Sequence, residues 1–209
     1  MTGASDGADG GRSDDDRGGD GRDSDDDHGG DGRDADGSPV HRLAVTGTPG
    51  TGKTTATDLL AGEREVEVVH LNDLIREEGL YAERDEERDS LVADLDAVAD
   101  RLGDWTGVVD SHLAHHLDAD RVAVLRCRPD VLERRLIERG EGEASARENR
   151  ESEALDVILG EAVERFGEER VYEIDTTDRD AERVAAELGG VLDGDREPSA
   201  GEVDFVEYL

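Results

Sequence analysis

The run Gly47-Thr-Pro-Gly-Thr-Gly-Lys-Thr54 completes the pattern G-x-x-x-x-G-K-[ST], and its flanks restrict the chain more than any other feature. An apolar strand, Arg42-Leu-Ala-Val-Thr46, leads into it, and a helical segment from Lys53 to about Ala61 follows. A chance glycine-rich turn would need neither flank. In this setting the glycines allow successive backbone N–H groups to turn inward around phosphate oxygens, while the helix N-terminus adds its partial positive charge. Lys53 is then placed to reach β- and γ-phosphates, and the Thr54 hydroxyl to ligate Mg2+.

The rest of the chain alternates in the same way. Strands are expected at Val66–His70, Gly107–Asp110, Arg121–Cys127 and Val171–Ile174. Helices are expected at Asp73–Glu78, Glu83–Leu102, from Pro129 to Gly140, and from about Asp180 to Leu192. The longest of these rests on Leu91, Leu95, Val98 and Leu102, spaced by three and four. Strands alternating with helices predict an α/β fold of the P-loop NTPase class, a five-stranded parallel sheet flanked by helices. This domain should occupy residues 40–193, with a C-terminal tail at 194–209 whose Phe205, Val206, Tyr208 and Leu209 are candidates for docking. Residues 1–39 carry 13 Asp and no Leu, Ile or aromatic residue, and SDDDRGGDGRD at 13–23 recurs as SDDDHGGDGRD at 24–34. Such an arm has too little apolar surface to offset chain entropy and is expected to be disordered.

Charge narrows the function classes. Asp and Glu number 57 against 24 Lys and Arg, a formal charge of −33, and Lys53 is the only lysine. Excess carboxylate with almost no lysine resembles the proteins of halophiles that keep molar salt in the cytoplasm, where a Debye length of about 3 Å screens the self-repulsion. The same charge disfavours direct nucleic acid contact and leaves a basic protein as the more natural partner. No apolar run approaches a membrane span of about 20 residues, so a cytoplasmic protein with no membrane contact is expected. The single cysteine, Cys127, lies in an apolar run and is expected to be buried.

A phosphate loop needs a carboxylate near its metal. Asp110, ending the strand Gly107-Val-Val, is the candidate for holding Mg2+ through water, together with Thr54. His112 lies two residues on, but His115 and His116 crowd the same turn. The residues by themselves leave His112 between a γ-phosphate contact and a structural role.

Several separated motifs carry a family resemblance: GTPGTGKTT at 47–55, HLNDLIREEGLYAERDEERD at 70–89, VVDSH at 108–112, and VLRCRPDVLERRLIERG with EN at 124–140 and 148–149. Over roughly Leu43 to Leu192 the chain resembles the atypical adenylate kinase family of archaea and eukaryotes, which is also implicated in maturation of small-subunit ribosomal RNA. The resemblance implies a nucleoside monophosphate kinase that moves the γ-phosphate of ATP to AMP, with an ATPase activity beside it. It implies donor phosphates held by Gly50, Thr51, Gly52, Lys53, Thr54 and Thr55, and an AMP-binding region at about 72–95 with Asn72, Asp73 and Arg76 as contacts. A lid at about 138–148 would bring Arg139 over the donor, and Asp110 and His112 match the family's Asp-x-His pair, which makes Lys53, Asp110, His112 and Arg139 the catalytic set. The implied protein partner is a basic small-subunit ribosomal protein of the platform. The chain departs from the family in the lid, where Glu141, Ala144 and Ser145 replace the usual Tyr and Lys positions.

With one lysine, further phosphate cations must be arginines, and Arg126, Arg135 and Arg139 flank the lid. The lysine count also removes a regulatory GTPase, whose Asn-Lys-x-Asp motif needs a second lysine. A kinase of another small metabolite remains an alternative, as does an ATP-dependent ribosome assembly factor whose kinase activity is secondary.

Overall fold

The computed structural model describes residues 42–85 and 90–209. The strands are β1 (Arg42–Thr46), β2 (Val68–His70), β3 (Tyr81–Asp85), β4 (Ser90–Ala93), β5 (Gly107–Asp110), β6 (Arg121–Arg126) and β7 (Val171–Asp175). The helices are α1 (Lys53–Glu63), α2 (Leu71–Glu78), α3 (Leu95–Leu102), α4 (Pro129–Glu138), α5 (Glu143–Ala154), α6 (Val157–Phe166) and α7 (Ala181–Asp193). The five-stranded parallel sheet expected from the sequence is present, in the order β2-β5-β1-β6-β7. The acidic repeat lies outside the described residues.

Central strand β1 is apolar on both faces because helices cover both. Leu43 and Val45 join Ala56 and Leu60 of α1 and Val184, Ala185 and Leu188 of α7. Ala44 faces the other way, into a core with Leu71, Ile75, Val98, Leu159 and Phe166 from α2, α3 and α6. The register sets Val45 opposite Asp110. The end of β1, where the phosphate loop begins, therefore lies beside the end of β5. In such sheets this carboxyl edge, where neighbouring connections diverge, is where ligands bind.

The predicted helix Glu83–Leu102 is corrected. Its first half is an antiparallel hairpin of β3 and β4, and only Leu95–Leu102 is helical. Leu91 and Ala93 pack inward while Val92 between them is 52% exposed, the alternation of a strand. The Asp94 carboxylate accepts a hydrogen bond from the Ala97 N–H and caps α3. Leu91 satisfies the helical spacing only by coincidence of phase.

Two helices between Gly140 and Val171 went unread. The inner face of α5 is Ala146, Glu153 and Ala154, which carries no apolar stripe to recognise. Asp156, at φ 54°, breaks the chain between α5 and α6. The tail docks in part: the Glu202 and Val203 N–H groups donate to Glu173 Oε2, Phe205 lies under the Arg126 guanidinium, and Arg150 donates to the Tyr208 carbonyl, while Val206 and Leu209 stay exposed. Among the described residues no helix is long and apolar enough to cross a membrane.

Candidate functional site

Backbone geometry shapes the loop. Gly47, at φ 135°, passes so close to β6 that a Cβ would stand 2.3 Å from the Leu125 carbonyl oxygen, so no other residue fits. Gly52, at φ 92°, is the N-cap of α1 and offers no side chain to the helix N-terminus. The first N–H groups of α1 are thus left for an anion.

Lys53 is buried and folded back on the loop, with Nζ donating to the carbonyl oxygens of Gly47 at 2.7 Å and Thr48 at 3.1 Å. Burial lowers its pKa to about 8, the charges of Asp110 and Glu153 hold it up in part, and Arg139 pushes it further down. Thr51 donates to the Thr48 carbonyl at 3.0 Å, and the Thr48 hydroxyl donates to Glu153. Thr54 and Thr55 are exposed at the start of the helix.

At the neighbouring strand end, Asp110 is buried and accepts from the Thr54 hydroxyl at 2.8 Å on Oδ2. Its Oδ1 lies 2.6 Å from His70 Nδ1, and His70 Nε2 lies 3.0 Å from Asp58 Oδ1. Partial burial alone would lower the His70 pKa, but the hydrogen bonds and charges of Asp110 and Asp58 outweigh it and raise the value. Sequence reasoning missed His70. The only available signal was its position at the end of a strand, since pairing opposite Asp110 is a matter of register.

His112, on the turn after β5, is held neutral: burial, then the charge of Lys53, lowers its pKa to about 4. Lys53, Thr54, Asp110 and His112 therefore converge at the mouth of the loop. Asn72 joins them indirectly, accepting from the Ser111 hydroxyl at 2.9 Å. Asp73 and Arg76 are on the exposed side of α2, 64% and 67% accessible, and pair with each other at 3.3 Å.

A cleft of about 360 Å³ opens on the other side of the loop, lined by Gly50, Gly52, Thr55, Arg135, Arg139 and Thr176 among others. Arg135 donates to the Thr176 carbonyl at 3.1 Å and to Cys127 Sγ at 3.3 Å. Cys127 is fully buried, as expected, and burial raises its thiol pKa. Arg126 is not available to phosphate. It is 1% exposed and bound by Glu153, Asp156 and Glu173, so a buried charge has taken the compensation it requires from inside the fold. The segment expected as a lid is the end of α4, a turn at 139–142 and the start of α5, where Ala146 is buried against Leu132 and Leu136.

Residues 43–156 match the AAA domain family. A protein of Natronomonas pharaonis named "Putative adenylate kinase" is 62% identical over 169 residues, covering 80% of this chain and 99% of that one. A Halobacterium salinarum protein of the same name is 55% identical over 170 residues, again 80% and 99%. Shikimate kinase from Bacteroides thetaiotaomicron, at 19% identity and a TM-score of 0.50 over 73% of this chain and 98% of that one, shares the fold.

Proposed function

The chain belongs to the AAA domain family and to the group of archaeal proteins that carry the adenylate kinase name, and on that footing we propose that it transfers the γ-phosphate of ATP to AMP, giving two ADP. The observation that carries this reading is the meeting of Lys53, Thr54, Asp110 and His112 at one sheet edge, with α2 tied to the same edge through Asn72 and Ser111.

Phosphoryl transfer depends on positioning and charge neutralisation more than on covalent help. The N–H groups of Gly50 to Thr55 cradle the donor phosphates, and Lys53 exchanges two backbone carbonyls for phosphate oxygens. That exchange raises its pKa, because phosphate charge replaces a desolvated surround. Thr54 and Asp110 are hard oxygen donors already in contact, a pair suited to Mg2+, which prefers one or two carboxylates, a hydroxyl and retained waters. When bound, Mg2+ supplies charge neutralisation at the donor phosphates. Neutral His112 offers its ring N–H to a phosphate oxygen and, in hydrolysis, its lone pair to the proton of the attacking water. Arg135 and Arg139 bring further cations to the donor cleft, and Asn72, Asp73 and Arg76 receive AMP.

The test is an acceptor panel with ATP and Mg2+ in concentrated potassium chloride, with Lys53→Ala as the blank. ADP should form far faster with AMP than with shikimate, gluconate or no acceptor. No acceleration by AMP over water would sink the kinase reading.

We further propose, from the family resemblance, ATP turnover coupled to binding a small-subunit ribosomal protein during ribosomal RNA maturation; the charge of −33 suits a basic partner. Affinity capture at molar salt should recover such a protein, and capture that recovers none counts against this role.

A further inference from the structure

The histidines of the turn after β5 form two sets. His112 lies near enough to the phosphate loop to feel the charge of Lys53, whereas His115 and His116, on a single helical turn at 114–116, lie against α6. His115 is 1% exposed and held at both ring nitrogens: Nδ1 is 2.9 Å from the Thr46 hydroxyl oxygen, and Nε2 is 2.9 Å from Glu161 Oε2. The same Thr46 hydroxyl also donates to the His112 carbonyl, at 3.3 Å. A hydroxyl has one hydrogen.

With that hydrogen on His112, Thr46 accepts from Nδ1–H, and the Nε2 lone pair points at the Glu161 carboxylate. Two acceptors then face each other, and a cation between them satisfies both; with the hydrogen turned to Nδ1 instead, Nε2–H donates to Glu161 and the pair is closed without an ion. The ring of His116, 4.1 Å from that of His115 between centroids, supplies a third donor, and one ligand atom from each of His115, His116 and Glu161 lies within 4.8 Å of the others.

We propose that His115, His116 and Glu161 bind a divalent d-block cation of the zinc class, separate from the Mg2+ site. Two imidazoles and a carboxylate form a donor set for such ions. Thr46 fixes the tautomer of the buried ligand from outside, as outer-shell partners of metal-bound histidines do. Glu161, with a side chain 48% exposed, gives the ion an entry path and leaves a position for water. The ion clamps the turn carrying His112 to α6 and, through Thr46, stiffens the residue that precedes the phosphate loop.

The experiment uses the full chain, stripped with chelator and free of nucleotide, so its outcome does not depend on the kinase reading. Titration with Co2+ should give visible d–d bands that saturate at one equivalent, and Zn2+ should displace it and raise the unfolding midpoint, while millimolar Mg2+ does neither. His116→Ala and Glu161→Gln, both at partly exposed positions, should each weaken Co2+ binding at least about tenfold while retaining the fold by circular dichroism. His28→Ala with His41→Ala should leave binding unchanged. Absence of bands, bands that persist in both single variants, or bands lost only with His28 and His41 each overturn the assignment.

Discussion

On the proposed donor side of the phosphate loop, Lys53, Thr51 and Asp110 are buried and hydrogen-bonded within the protein, whereas on the proposed acceptor side Asp73 and Arg76 of α2 are about two-thirds exposed and pair with each other. The donor side is held by backbone: glycines at positive φ, carbonyl oxygens on the lysine, and a helix N-terminus without a side-chain cap. The acceptor side is held by side chains in solvent, where an ion pair between neighbours on one helix contributes only about 0.3–0.5 kcal/mol. A site built from backbone is ready for ligand at little reorganisation cost; one built from exposed side chains must be ordered by its ligand.

The largest test of this contrast is Lys53→Ala, expected to lower kcat/KM about 10³-fold in the AMP-dependent assay. Asp110→Asn should cost about 10²-fold and raise the Mg2+ needed for half-maximal rate, measured by metal titration. On the acceptor side, Arg76→Ala should raise KM for AMP about tenfold, a loss of about 1.4 kcal/mol, and leave KM for ATP unchanged. A matching rise in KM for ATP would remove the distinction between the two sides.

Alkaline pH divides them again. The Lys53 pKa is lowered to about 8 in the nucleotide-free protein, so its charged form, which phosphate requires, is lost as pH rises through that value. Affinity for an ATP analogue should fall about fourfold between pH 7 and 8.5, as one deprotonation at about 8 requires, while KM for AMP, whose proposed contacts include no lysine, should hold. Calorimetry across that range checks it, and a flat profile would show that Lys53 of the nucleotide-free protein keeps its proton throughout. The smallest effect should come from Asp94→Ala, which removes the cap of α3 and should cost about 1 kcal/mol in denaturant unfolding with little change in KM for ATP.

Much of the donor side was legible in advance. Gly47, Gly50, Gly52, Lys53 and Thr54 sit within one short segment, and the neighbouring strand end places Asp110 because a parallel sheet has few ways to pair. The acceptor side was less so. The stretch from Glu83 to Leu102 reads as one helix until Asp94 is recognised as a cap, and one aspartate among so many carries no such mark in the sequence. Similarly, Arg126 and Arg135 occupy equivalent places in the pattern, yet the first neutralises three buried or partly buried carboxylates and the second lines the cleft.

The sequence by itself determined the phosphate loop, the alternation that forces a parallel sheet, and the single lysine that leaves no Asn-Lys-x-Asp motif. These are local in the chain, and local spacing is what helices, strands and turns obey. Only the tertiary structure decided that His70 holds Asp110, that Glu153 bridges Thr48 to Arg126, and that His115 and His116 meet Glu161. In a chain where 39% of residues are charged, each of these groups has many chemically equivalent partners, and only distance in the folded state selects among them.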